Sequence, residues 1–258
     1  MQFYSKEHEI KGKVVLITGG VKNLGAATAK ELARCGASLF LHYHSSKDND
    51  AAEKFKQELQ STFDNVKVEL YQGDLDKAAD LTKLFDAAKE KFPQGIDIAV
   101  NNVGMVLKKP IKDITEAEFD QMDSVNNKTA FFFVKEAAKN VNENGKIVSL
   151  VTSLLAAYTP FYSAYQGNKS GVEYYSKSAS KELQSKGISV NCVAPGPMDT
   201  PFLYGQETKE DVEFYKTCGL HGRLTKIDDI VPIVRFLVTE GGWITGQTIY
   251  CSGGFTAH

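Results

Sequence analysis

The chain has 258 residues, 42% of them hydrophobic and 24% charged, with 30 Lys and Arg nearly balanced by 32 Asp and Glu. That profile is ordinary for a folded globular protein and supplies no basic footprint for nucleic acid. No apolar run reaches the roughly 20 residues of a bilayer-spanning helix, and the charged start "MQFYSKEHEIKGK" lacks the apolar centre of a secretory signal, so no membrane partner is expected. Cys35, Cys192, Cys218 and Cys251 are scattered without a CxxC pair, which suits a reducing, cytoplasmic setting, and no His or Cys pair has metal-ligand spacing.

Taken in order, the chain alternates strand and helix. "KVVLIT" (13 to 18) is an apolar run of the kind buried on both faces of a parallel sheet. A glycine-bearing turn follows, then a helix in "LGAATAKELARCG" stopped by Gly36. "SLFLHY" (38 to 43) is a second strand, and Ala52, Phe55 and Leu59 recur at helical spacing after it. "VKVELY" (66 to 71) is a third strand; Leu81, Leu84, Phe85 and Ala88 mark a helix that Pro93 ends. "IDIAVNN" (96 to 102), "GKIVSLV" (145 to 151), "ISVNCVAP" (188 to 195) and "QTIYC" (247 to 251) complete about seven strands, with a long helical stretch around "TAFFFVKEAAKNV". This alternation predicts a doubly wound α/β domain over 1–258, a parallel sheet with helices on both faces and ligands beyond the carboxyl ends of the strands. Residues 1–12 read as an N-terminal extension, and the long polar segment 202–222 as a flap over a site.

"TGGVKNLG" (18 to 25) lies between the first strand and the first helix. Glycines there let the backbone approach a pyrophosphate, which then meets the helix N-terminus. The GxGxxG fingerprint is absent; Gly19, Asn23 and Gly25 match TGxxxGxG with Asn in the middle slot, a residue that tolerates left-handed backbone. Lys22 and Leu24 complete the turn. At the end of the second strand, where an Asp or Glu would hold a ribose 2′-OH, stands Tyr43 followed by His44, Ser45, Ser46 and Lys47. These donate to a 2′-phosphate, and with Lys22 they favour NADP(H).

"YSAYQGNK" (162 to 169) places Tyr165 and Lys169 four apart, on one face of a helix. Such a pair is also common on exposed helices, so the surrounding motifs decide its meaning. In order and spacing, "TGGVKNLG", "GDL" (73 to 75), "NNVG" (101 to 104), "VNNKTAFF" (125 to 132), "YQGNK" (165 to 169), "PGPMDT" (195 to 200) and "ITGQTIYCSGG" (244 to 254) make the chain resemble the classical short-chain dehydrogenase/reductases over nearly its whole length. Among these it is most similar to 3-oxoacyl-carrier-protein reductases, fungal naphthol reductases and broad carbonyl reductases.

The resemblance implies a Rossmann-like fold and assigns roles by position. Asp74 and Leu75 would flank the adenine, Asn101 and Gly104 would line the cleft below it, and Pro195, Gly196, Met198 and Thr200 would wrap the nicotinamide. Lys169 would hold the nicotinamide ribose and favour the phenolate of Tyr165, lowering a pKa that is near 10 in a free phenol. Tyr165 would then be the general acid in carbonyl reduction by NADPH. Register from Gly145 to Tyr165 puts the carbonyl-holding hydroxyl on Thr152, while residue type favours Ser153; both stand as candidates. Asn126 matches the asparagine that holds a water near the lysine, with Asn127 the lesser choice. Three departures stand out: Asn23 for glycine, Val103 for the alanine of NNAG, and Ser252 where an Asp often precedes the closing glycines.

The expected activity is NADPH-dependent reduction of a small ketone or aldehyde. "LLAAYTPFY" and "FLY" give the pocket apolar walls, and a flat polyketide or naphthol substrate would stack on Tyr158, Phe161 or Tyr204. A non-catalytic NADP(H)-binding sensor or scaffold is the rival from another class. The family resemblance and the triple phenylalanine of "AFFFVKEA" imply a homo-oligomer, tetramer or dimer, against the alternative that all three rings are buried in one subunit. His8, His42, His221 and His258 have no partner pattern and are expected to be structural or solvated.

Overall fold

Strand β1 (Val14–Ile17) is apolar at every position because both its faces are covered. Val15 and Ile17 pack with Leu32, Val234 and Leu237 on one side, and Val14 and Leu16 with Leu81, Phe85 and Phe133 on the other, as the two-residue period of a strand requires. The structure, a computed structural model, describes residues 10–256. His8, His258 and most of the expected N-terminal extension lie outside the described residues.

After β1 come α1 (Asn23–Arg34), β2 (Ser38–Tyr43), α2 (Asn49–Thr62), β3 (Val68–Gln72), α3 (Ala78–Lys91) and β4 (Ile96–Asn101). Then α4 (Glu116–Met122) runs through a π-helical turn at Asp123–Lys128 into α5 (Thr129–Asn140), followed by β5 (Val141–Leu150), the short α6 (Leu154–Ala157) and α7 (Ser163–Glu182). The chain closes with β6 (Ser189–Pro195), α8 (Pro201–Tyr204), α9 (Lys209–Thr217), α10 (Ile227–Val238) and β7 (Thr248–Cys251). All pairings are parallel, in the order β3-β2-β1-β4-β5-β6-β7. Helices α1 and α10 cover one face, and α3, α5 and α7 the other. The order reverses between β1 and β4, which is where such a sheet opens a crevice. Among the described residues no helix is long and apolar enough to cross a membrane.

Two segments differ from expectation. Strand β5 starts at Val141, which pairs with Ile96 before a register shift brings Lys146 opposite Ile98. The 202–222 flap is largely helical: α8 and α9 pack Leu203, Val212 and Tyr215 against Leu224 and Phe255. Thr208 caps α9 by accepting the Asp211 N–H at 3.1 Å. Of the three phenylalanines on α5, Phe133 is fully buried, while Phe131 stays 45% exposed and stacks edge-on against Tyr175 of α7.

His42, at the end of β2, is a structural residue with a specific task. Its Nδ1 accepts the Gly19 N–H at 3.2 Å, which puts the proton on Nε2, 3.0 Å from the Gly73 carbonyl. One neutral imidazole thus ties the turn after β1 to the loop after β3. Burial, helped by nearby His44 and opposed by the Gly73 carbonyl, lowers its pKa to about 4. Because the folded value lies below the unfolded one, near 6.5, this group's contribution to stability is complete above about pH 6.5 and is lost as pH falls toward 4. Urea unfolding across that window should show a loss of up to about 3 kcal/mol that is reduced in His42→Gln. An identical acid profile in the variant would rule His42 out as the cause.

Candidate active site

A cleft of about 430 Å³ opens where β1, β4, β5 and β6 end. Its nucleotide-sized half is built on the turn after β1. Gly19 (φ +62) and Asn23 (φ +46) both adopt left-handed backbone, so Asn takes a conformation that most side chains disfavour. A Cβ on Gly25 would sit 2.0 Å from the Gly19 carbonyl oxygen and 2.8 Å from the Asn102 amide, so only glycine lets helix α1 start this close to the turn. Asn102 braces the turn by donating to the Thr18 and Gly19 carbonyls at 3.1 and 3.2 Å. No side chain caps α1, which leaves its first N–H groups for an anion.

Of the expected cofactor residues, Gly19, Lys22, Asn23, Leu24, His44, Gly104, Pro195, Gly196, Met198 and Thr200 line this cleft. Others stand away from it. The Tyr43 hydroxyl donates to Asn49 at 2.9 Å, Ser45 accepts the Lys47 N–H, and Ser46 is exposed. Leu75 is buried and Asp74 accepts the Leu75 N–H. Asn101 is buried beside the Thr18 hydroxyl, and its neighbour Asn102 faces the cleft in its place. The charges at this end are also more balanced than the loop sequence suggests. Lys22 pairs with Asp48 at 2.5 Å, and Asp74 lies 3.8 Å from His44.

The proton-handling end is assembled from three elements. Helix α7 carries Tyr165 and Lys169, both buried. Thr152, just past β5, accepts the Leu154 N–H at 3.2 Å, and its hydroxyl acts to lower the pKa of the Tyr165 phenol. Ser153 also lines the cleft, its N–H donating to the Pro195 carbonyl at 2.9 Å. Lys169 donates to the Leu150 carbonyl at 3.0 Å. Burial pulls the ammonium down to about 8 and pushes the phenol up to about 12, the Thr152 hydroxyl opposing the latter. Without the cofactor's positive ring, desolvation dominates at the phenol.

Asn126 reaches this end through backbone. It sits in the π-helical turn, where its amide accepts the Met105 N–H at 3.0 Å and donates to the Met105 carbonyl at 2.9 Å. A Cβ on Gly104 would lie 3.0 Å from both Asn126 Oδ1 and Lys169 Nζ, so the bare glycine brings the loop after β4 against the lysine. Asn127 points elsewhere, to Asp123 and Tyr175.

The far half of the cleft is walled by Val106, Leu154, Tyr162, Phe202, Leu203, Glu207, Tyr215 and Phe255. The aromatic residues expected to stack on substrate are not among these: Tyr158 and Phe161 are 81% and 51% exposed, and Tyr204 is turned out to Asp199. Tyr162, Phe202, Tyr215 and Phe255 supply the rings. Nothing in the sequence separates Glu207 from the other acids of its polar segment, and Phe255 joins the cleft only through the tertiary fold.

The family model described as enoyl-(acyl carrier protein) reductase matches residues 19–256. An Arabidopsis thaliana protein named NADPH-dependent aldehyde reductase-like protein, chloroplastic, is 34% identical, with 95% of each chain covered. A Picea abies short-chain type dehydrogenase/reductase is 32% identical over 94% of this chain and 92% of its own. Among solved structures, a Burkholderia cenocepacia protein with bound NADP is 49% identical and superposes with a TM-score of 0.93, covering 97% of this chain and 96% of that one. The glycine turn, the Tyr165–Lys169 helix and these full-length similarities agree: the chain belongs to the short-chain dehydrogenase/reductase family.

Proposed function

We propose that this protein is an NADPH-dependent carbonyl reductase in which Tyr165 is the general acid. The reading is carried by one arrangement: a buried phenol one helical turn from buried Lys169, lining with Thr152 a cleft that continues to an uncapped helix N-terminus. The NADPH in the Arabidopsis relative's name and the NADP in the Burkholderia structure support the cofactor. The turn at Gly19 to Gly25 would hold the cofactor's phosphates, Lys22 and His44 its ribose phosphate, and Lys169 its nicotinamide ribose. Bound there, NADPH would supply the hydride.

The chain's own residues manage the proton. A phenol held near pKa 12 stays protonated at neutral pH and is ready to donate to a carbonyl oxygen. Thr152 lines the cleft with the phenol and, with it, positions the carbonyl. Lys169, charged below about pH 8, offsets part of the cost of the phenolate left behind. A second reading, a polyketide or other flat aromatic ketone, is favoured by the rings of Tyr162, Phe202 and Tyr215 in the cleft wall. A homo-oligomer through α5 and α7 is supported by exposed Phe131 and Tyr174.

Three measurements test this reading. With a panel of ketones, aldehydes and an enoyl thioester, NADPH oxidation should be seen with carbonyls and should fall about 10²–10⁴-fold in Tyr165→Phe while NADPH still binds; an unchanged rate would remove Tyr165 from the chemistry. The pH profile of kcat/KM for reduction should decline above about pH 8, where Lys169 loses its proton, and Lys169→Met should abolish that inflection. A flat alkaline profile in the unmodified enzyme would contradict the role of the ammonium. Replacing Lys22 and His44 together by Ala should raise the KM for NADPH by about tenfold and leave that for NADH little changed. Equal losses with both cofactors would show that this end does not read the 2′-phosphate.

A further inference from the structure

The substrate half of the cleft is apolar except at one end, where Tyr162, Glu207 and Tyr215 meet. The Glu207 carboxylate is enclosed, its side chain 1% exposed. The Tyr162 hydroxyl donates to its Oε1, and the Tyr215 hydroxyl donates to the same oxygen at 3.2 Å. Its Oε2 accepts a hydrogen bond from the Lys108 ammonium at 2.5 Å, and Lys108 also donates to Asp211 at 2.7 Å. Lys108 lies behind Glu207 and is not part of the cleft wall. Burial disfavours its charge, but Asp211 and Glu207 outweigh that and raise its pKa. Two of the ammonium's three N–H donors are taken by these carboxylates.

Counting donors gives this end a definite chemistry. A phenol has one proton, and both phenols have used theirs on Glu207. What remains for a ligand is lone pairs on two phenol oxygens and one carboxylate, with no free donor. The charges sum in the same direction, since one ammonium faces two carboxylates. A ligand group that brings a proton is satisfied here. A carboxylate or phosphate finds no donor, is desolvated, and meets excess negative charge. The Tyr162 and Tyr165 rings lie 6.3 Å apart, centroid to centroid, so this end adjoins the phenol assigned as the acid.

We propose that Tyr162, Glu207 and Tyr215 form a specificity end that selects carbonyl compounds carrying a neutral hydroxyl a short spacer away from the reacting carbonyl, and rejects those ending in carboxylate or phosphate. This rests on the carbonyl-reductase reading and adds the substrate class to it. Both phenols are held in place by the same carboxylate, so Glu207 is the positioning residue of the group.

The test is a matched set of three ketones on one aliphatic skeleton, ending in hydroxyl, methyl or carboxylate, assayed with NADPH. In the unmodified enzyme kcat/KM should be highest for the hydroxyl compound, about tenfold above the methyl analogue and about a hundredfold or more above the carboxylate. Tyr215→Phe should reduce the hydroxyl-to-methyl ratio. Glu207→Gln, which removes a negative charge and frees phenol protons, should narrow the gap to the carboxylate. A loosened α8–α9 segment would slow all three substrates together and leave the ratios unchanged, so ratios that do not move in either variant overturn the proposal. It is also overturned if the unmodified enzyme turns over the carboxylate as well as the hydroxyl compound. If no ketone in this or the wider panel is reduced, the carbonyl-reductase reading itself fails; reduction without the ranking leaves that reading standing and removes only the specificity end.

Discussion

An ammonium taken out of water must be compensated on every side, and the burial of Lys169 organises much of this molecule. The carbonyl of Leu150, the last residue of β5, accepts a hydrogen bond from it at 3.0 Å. Gly104 has to lack a side chain so that the loop after β4 can close against it. That loop is in turn held by Asn126, and the π-helical turn sets Asn126 at the height of Met105. π-helical turns are uncommon and recur at functional sites, and here the turn has a visible purpose. The remaining destabilisation of the charge is seen in the lysine's lowered pKa. A site that keeps its cation ready to lose a proton is suited to proton traffic.

The other half of the cleft is held by neutral groups. The turn after β1 is fixed from both sides, by the His42 ring beneath Gly19 and by the Asn102 amide against Thr18 and Gly19. Neither carries charge, so the anion-facing N–H groups of α1 are positioned without a competing carboxylate. The paired ions lie further out, at Lys22 with Asp48, where solvent screens them. Rigid backbone thus forms the glycine turn, and exchangeable charge is confined to its rim.

The sheet was legible because each strand has a short, mainly apolar stretch and its helices follow the 3.6-residue period; α1, α3 and the centres of the strands from β2 to β6 need no tertiary information to find. Strand ends were less so, since the start of β5 depends on Val141 meeting Ile96 and no local pattern announces it. The Tyr165–Lys169 pair and the glycine turn are local in sequence and could be read. Register pointed to Thr152 and residue type to Ser153, and both line the cleft. The spacing of Tyr165 and Lys169 reports a neighbouring charge, whereas the desolvation that raises the phenol's pKa is a property of the fold. His42, Asn102, Glu207 and Tyr215 draw their meaning from partners 23 to 99 residues away or from the cleft they line, beyond any local pattern.

The parallel sheet also orders how the molecule is completed along its chain. Parallel neighbours cannot be joined by hairpins, so each pairing waits for a long connection to close. Strand β1 gains its second neighbour only when β4 has been made. By then β3, β2, β1 and β4 are all present, together with the phosphate turn, the His42 tie and the Asn102 brace. Tyr165 and Lys169 come some sixty residues later, on a helix that packs against β6 and the π-helical turn. In the emerging polypeptide, the cleft wall built on the turn after β1 can therefore be in place before the wall that carries Tyr165 and Lys169 exists.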